Sequence, residues 1–142
     1  MKQLLFLPLL AAAISINGQS FTGLWTGTLT RDYGNEIKTD SIEFRLEQQG
    51  EKITGYSILF VSPGIYIKAK LEGNYHCINK ILRLTETAID HTNQPNRGDE
   101  FFLDRYLLTY DENNALVLTG KSISCDRKFT YIRSKMMLRK TS

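Results

Sequence analysis

The chain has little of what most catalytic and nucleic-acid-binding proteins need. Among 142 residues there are two cysteines, two histidines, three prolines and one tryptophan. His76 and His91 fall on separate segments, and there is no Gly-x-Ser-x-Gly, His-Glu-x-x-His or phosphate-cradling glycine loop. No enzyme, cofactor or metal site is therefore expected. His76 and Cys77 adjoin in sequence, but neighbours on a strand point to opposite faces, which argues against a His–Cys pair. Asp90, His91, Asp99 and Glu100 share a polar loop that reads as solvated rather than metal-binding. Charge of one sign is also scarce. Without Lys2, which belongs to a leader, 17 basic residues face 15 acidic ones. The one dense basic run, Arg133, Lys135, Arg139 and Lys140, is diluted by Met136, Met137 and Leu138 and reads as a solvated strand end. Nucleic-acid binding, which wants a clustered basic stripe, is not expected.

Long apolar runs are missing too. The longest, Leu4 to Ile14, is well short of the roughly 20 residues that span a bilayer. With Lys2 before it and Ser15-Ile16-Asn17-Gly18 after it, this stretch reads as a signal peptide cut between Gly18 and Gln19. Residues 1–18 are then the leader and residues 19–142 one domain, periplasmic or secreted, with no transmembrane segment. No cysteine lies near the cut, so a lipid anchor is not expected. In an oxidising compartment Cys77 and Cys125 are expected to form one disulfide, with two separate buried thiols as the alternative.

What the chain does have is alternation. Phe21, Gly23, Trp25, Gly27 and Leu29 fall on one face of an opening strand, with Thr22, Thr26, Thr28 and Thr30 on the other. Ile42, Phe44 and Leu46 alternate with Glu43, Arg45 and Glu47. Lys52 to Val61 is apolar on both faces. Ile65, Ile67, Ala69 and Leu71 oppose Tyr66, Lys68, Lys70 and Glu72. Leu82, Leu84, Glu86 and Ala88 share a face of a fifth strand. Glu100–Tyr110, Ala115–Ser124 and Phe129–Leu138 complete the set, the faces of the sixth staying ambiguous. Turn residues punctuate these runs at Tyr33-Gly34-Asn35-Glu36, Gln48-Gln49-Gly50-Glu51, Ser62-Pro63-Gly64 and Asp111-Glu112-Asn113-Asn114. No stretch of the mature chain has helical periodicity.

Eight short strands in hairpin succession imply an all-β fold, a single eight-stranded antiparallel up-and-down β-barrel closed by pairing the first strand with the eighth. An open sandwich is the alternative. A membrane barrel would need apolar outward faces, but the wet faces here carry Glu43, Arg45, Glu47, Lys68, Lys70 and Glu72.

The segment Gly23-Leu24-Trp25-Thr26-Gly27 resembles the Gly-x-Trp opening strand of the calycin superfamily, which includes lipocalins, fatty-acid-binding proteins and avidins. Ile53-Thr54-Gly55-Tyr56-Ser57 and Leu118-Thr119-Gly120 are similar to the Thr-Gly strand motifs of avidin-like barrels. The resemblance implies a lipocalin-like barrel in which Trp25 packs under a basic residue of the last strand, Arg133 or Arg139, closing one end. Avidins wall biotin with several tryptophans, and Trp25 stands alone here, so biotin binding does not follow.

Within such a barrel, Glu86 points inward by alternation, where a carboxylate needs a partner, a proton or water. Arg105 is a candidate partner, and a ligand head group is another. Tyr56, Phe44 and Tyr106 are expected to line the same interior, with Trp25 beneath them. Two functions follow as expectations. One is an exported binding protein for a small apolar or amphipathic ligand held in the barrel. The other is a cell-envelope protein-interaction module with a solid core, of which a peptidase-inhibitor-like barrel would be one form.

Overall fold

A computed structural model describes residues 20–93, 103–125 and 131–141; the expected signal peptide falls outside them. Eight strands follow in order: β1 (Gly23–Asp32), β2 (Ile37–Gln49), β3 (Lys52–Ser62), β4 (Ile65–His76), β5 (Ile81–Thr92), β6 (Arg105–Asp111), β7 (Asn114–Cys125) and β8 (Tyr131–Lys140). Each pairs antiparallel with the next, and β1 pairs with β8, so the sheet is a closed up-and-down barrel. The all-β barrel expected from the alternation is the fold observed. Among the described residues no helix is long and apolar enough to cross a membrane.

Local chemistry sets the hairpins. Gly50 and Gly64 turn with positive φ, at 62° and 76°. Asp32 and Asp111 side chains accept bonds from the backbone N–H two residues on, at Gly34 (2.9 Å) and Asn113 (2.8 Å). Closing so narrow a barrel needs strands to approach closely where they bend. At Gly27 a Cβ would lie 1.8 Å from the Met137 carbonyl oxygen, and at Gly55 1.8 Å from that of Arg45. Glycine is required at both places because the partner backbone already fills the space of a side chain.

The interior is graded from one end to the other. Phe21, just ahead of β1, folds under the barrel as a plug, stacking on Tyr110 (5.0 Å between centroids) and tilting against Tyr75 (4.9 Å). Its carbonyl accepts the Trp25 indole N–H at 2.9 Å, and its own N–H donates to Gln48 Oε1 at 2.9 Å. Above the plug, Trp25 belongs to one buried core with Leu46, Ile53, Leu82, Leu108, Leu118 and Leu138. We call this the sealed end. The opposite, open end carries the β1–β2, β3–β4, β5–β6 and β7–β8 connections.

Two sequence expectations change. The base over Trp25 is Lys140, whose Nζ lies 5.8 Å from the ring centroid and donates to the Ser20 carbonyl at 2.9 Å. Arg133 pairs in register with Asp32, at the open end, while Trp25 is level with Lys140; Arg139 is exposed on the outer wall. The offset across the closing seam decides this, and one strand's sequence does not contain it. The disulfide is also corrected. Cys77 is exposed, with a free thiol, in the β4–β5 turn at the sealed end. Cys125 ends β7 at the open end, opposite Tyr131, and its side chain lies outside the described residues. A disulfide requires Cα atoms within about 7 Å, whereas a strand rises about 3.3 Å per residue. The length of β7 separates the two.

Replacing Gly27 by alanine is expected to lower stability by about 2 kcal/mol, within the usual cost of overpacking. Thr28→Ala, one residue along on the exposed face, is expected to change it by less than about 0.5 kcal/mol. Urea denaturation of the two variants checks the contrast.

Candidate functional site

Alternation along β5 turns Glu86 inward, and the structure places it there, 9% exposed. Its carboxylate is fully engaged. Ser57 of β3 donates to Oε1 at 2.9 Å, Tyr106 of β6 donates to the same oxygen, and the Asp104 backbone N–H donates to Oε2 at 3.1 Å. The Glu86 N–H returns a bond to the Asp104 carbonyl at 2.9 Å. Asp104 in turn accepts from Arg31 of β1, with Nη2 to Oδ2 at 2.7 Å, and both side chains are largely buried. Arg31 replaces Arg105 as the interior cation: Arg105 is exposed on the outside of β6. Arg31 has Asp32 outward beside it and lies two residues past Leu29, so alternation from Trp25 could have identified it.

These groups form a polar layer above the apolar core. Asp40 of β2, Ser122 of β7 and Ser134 of β8 belong to it; Asp40 and Ser122 are buried, and the two serine hydroxyls lie 3.0 Å apart. Lys38 approaches Asp40 at 3.9 Å but is 43% exposed. Burial raises the Asp104 carboxyl to about 6; Arg31 pulls it down, and Glu86 pushes it further up. Burial also raises Asp40, against the pull of Lys38 and Arg31. Tyr106 is pushed well above its usual value by burial and then by the charges of Glu86 and Asp104. Arg31 is the telling case. Burial pulls a guanidinium down, yet Arg31 is raised, chiefly by Asp104. The guanidinium is thus held in its charged form by the carboxylate it bonds.

The other expected lining residues divide. Phe44 and Tyr106 meet edge-on at 4.9 Å, with 0% and 1% of their surface exposed, and Trp25 is equally sealed. Side chains so enclosed face no void that a ligand could fill, so these three are packing residues. Tyr56 is not interior at all. Gly55 and Ser57 take the inward positions of β3, and Tyr56 stands on the outer wall with Lys68 Nζ 4.3 Å over its ring. There it borders a shallow groove of about 490 Å³ that also touches Arg45, Glu47, Lys70 and Glu72. Ala88 faces out as well. The pairing of β4 with β5 shifts between Lys70 and Leu71, where Leu71 meets Glu86 but Lys70 meets Ala88, leaving Thr87 as an extra residue. Asp90 lies 3.7 Å from Lys68, and the His91 ring is 5.5 Å from that of Tyr66. Asp99 and Glu100 fall outside the described residues. Among the described residues no group of three or more His, Cys, Asp and Glu side chains is arranged to hold a metal.

Beyond the polar layer the inward positions become apolar again and less buried. Register places Leu59, Ile67, Ile89 and Ile132 on the inward face, each only half-buried. The rim outside them exposes Tyr33, Ile37 and Leu103, with Ile37 72% exposed. The inward face towards the open end thus carries half-buried aliphatic side chains beyond the polar layer.

No protein-family model matches the chain, and no curated protein is significantly similar to it. The closed eight-stranded antiparallel barrel is compatible with a calycin-like fold.

Stability should depend on pH through Asp104. Its carboxyl titrates at about 6 when folded and near the ordinary 3.8 when unfolded. Between those values the folded state holds a proton that the unfolded state has lost, so stability falls as pH rises. From pH 5 to pH 7 this one group is expected to remove about 1 kcal/mol. Asp104→Asn lacks the term, so the pH 5 to pH 7 loss in wild type should exceed that in the variant, as read by urea denaturation at both pH values. An equal loss in both proteins would show that Asp104 does not titrate in this window.

Proposed function

We propose that this is an exported, lipocalin-like binding module of the calycin type, without catalytic activity, that takes a small amphipathic molecule at the open end of its barrel. The observation that carries the reading is the gradation of the inward face. Inward side chains are sealed at one end, whereas Leu59, Ile67, Ile89 and Ile132 stay half-buried at the other, above a layer of charge. Apolar walls with a few convergent polar groups are what small-molecule sites offer. The deep interior does not serve, because Phe44, Tyr106 and Trp25 fill it. Export follows from the leader-like residues 1–18.

A protein-interaction module of the cell envelope is the second reading. The exposed rim of Tyr33, Ile37 and Leu103 favours it, since exposed apolar clusters with an aromatic member mark interfaces.

Native mass spectrometry of the protein purified from its own host separates the two. The first reading expects a retained small molecule, lost in Ile67→Lys while the far-ultraviolet circular dichroism stays that of a β-barrel. A ligand-free protein whose co-purifying protein partner is lost in Ile37→Asp would favour the second.

A further inference from the structure

We infer that the outer wall of β2, β3 and β4 carries a binding site of its own, for a small zwitterion such as a dipeptide with free termini. The site is the groove of about 490 Å³ beside Tyr56, and it does not depend on the open end. Register arranges its residues in rows across the three strands. One row is Arg45, Tyr56 and Lys70; another, two residues along, is Glu47, Thr54 and Glu72. The row between them is centred on Gly55. The four charged residues are exposed, whereas Thr54, Gly55 and Tyr56 are half-buried between them. β3 is therefore the floor of a trough whose banks are β2 and β4. Lys68, with its Nζ 4.3 Å over the Tyr56 ring, stands where the trough ends towards the open end of the barrel.

Within each row the two banks carry the same sign. Arg45 faces Lys70 across Tyr56, and Glu47 faces Glu72 across Thr54. These charges do not neutralise one another. Arg45 has one ion pair, at 3.9 Å, and its partner Glu43 lies outside the groove. Among the described residues Lys70, Glu47 and Glu72 make none. Two strand spacings set the banks roughly 10 Å apart at the backbone, which long side chains can bridge through a single ion.

An anion between Arg45 and Lys70 and a cation between Glu47 and Glu72 relieve both repulsions. One ligand does this if its opposite charges match the spacing of the rows, about 7 Å for two strand residues. An extended dipeptide has that span, at about 3.3–3.6 Å per residue, and so does a five-carbon ω-amino acid. The carboxylate goes to the Arg45–Lys70 row and the ammonium to the Glu47–Glu72 row. A dianion of the same length would meet the acids, and a dication the bases. In a single α-amino acid the two charges are too close together to reach both rows. The trough is open to water, so each contact is screened and the affinity is modest.

Nuclear magnetic resonance titration of the full mature chain with glycylglycine at low salt tests the inference. Amide signals of Thr54, Tyr56 and Lys70 are expected to shift. N-acetyl-glycylglycine, glycylglycine amide and glycine are each expected to bind about fivefold more weakly, the loss of one exposed charge contact. Salt at about 1 M, where screening acts over about 3 Å, should abolish the shifts. The double variant Arg45→Glu, Lys70→Glu should lose glycylglycine and gain 1,4-diaminobutane, an exchange that a merely structural role would not produce. Binding of 5-aminopentanoate as tight as that of glycylglycine supports the inference and assigns recognition to the charges alone; weaker binding supports it and adds the peptide group. The blocked dipeptides binding as tightly as the free one, or glycylglycine leaving these signals unmoved, would overturn it.

Discussion

The pairing of β1 with β8 is the constraint on which the rest depends. Once Trp25 is level with Phe44 on one side and Lys140 on the other, every strand has two neighbours and no edge is left. Closure also divides the side chains into two sets, because alternate residues must point into a narrow tube or out to the surroundings. A one-residue slip would exchange the sets and bring Glu43, Arg45 and Glu47 inside. Register, closure and burial of the core are therefore one condition. Gly27 and Gly55 serve that condition, since each gives way to a neighbouring carbonyl where the wall bends.

A tube this narrow tolerates buried charge only when it is bonded. Glu86 meets the requirement with three donors from two segments: the Ser57 hydroxyl of β3, and the Tyr106 hydroxyl and Asp104 amide at the start of β6. Removing one donor leaves a lone pair unsatisfied in a poorly hydrated place, which costs about 1–3 kcal/mol. The Arg31–Asp104 pair adds little stability by its own Coulomb energy, because two ions must be stripped of water to form it. What it contributes is position. It ties β1 to the start of β6 across the barrel, next to the segment that joins β5 to β6.

Much of this was legible in the sequence, and the failures have definite causes. The strand count, the inward Ile42, Phe44 and Leu46, and the inward Glu86 all followed from a period of two. Tyr56 misled because β3 is apolar on both faces, and its true inward residues there, Gly55 and Ser57, carry no hydrophobic signal. Ala88 misled because a bulge at Thr87 reverses the parity of β5 beyond Glu86, and nothing in the composition of that stretch marks it. The partner of Trp25 was misplaced for a different reason. Within-strand periodicity gives faces but not the offset between strands distant in sequence, so Lys140 could not be told from Arg133. Cys77 and Cys125 failed likewise, since pairing by compartment takes no account of which end of the barrel each strand reaches.

The two ends of the barrel answer different demands, and the order of the inward residues explains how one sheet meets both. At the sealed end Phe21, Tyr75 and Tyr110 stack into a lid, with Trp25 bonded to the Phe21 carbonyl. Phe21 and Trp25 are fully buried there, with Tyr75 and Tyr110 partly buried against them. At the open end the inward residues are shorter aliphatics on β3, β4 and β5, while β1 and β2 place Arg31, Lys38 and Asp40 opposite them. An apolar wall facing a charged wall cannot close on itself without stripping water from the ions, which costs several kcal/mol for each. The polar layer between the two ends stops the hydrophobic core from extending any further.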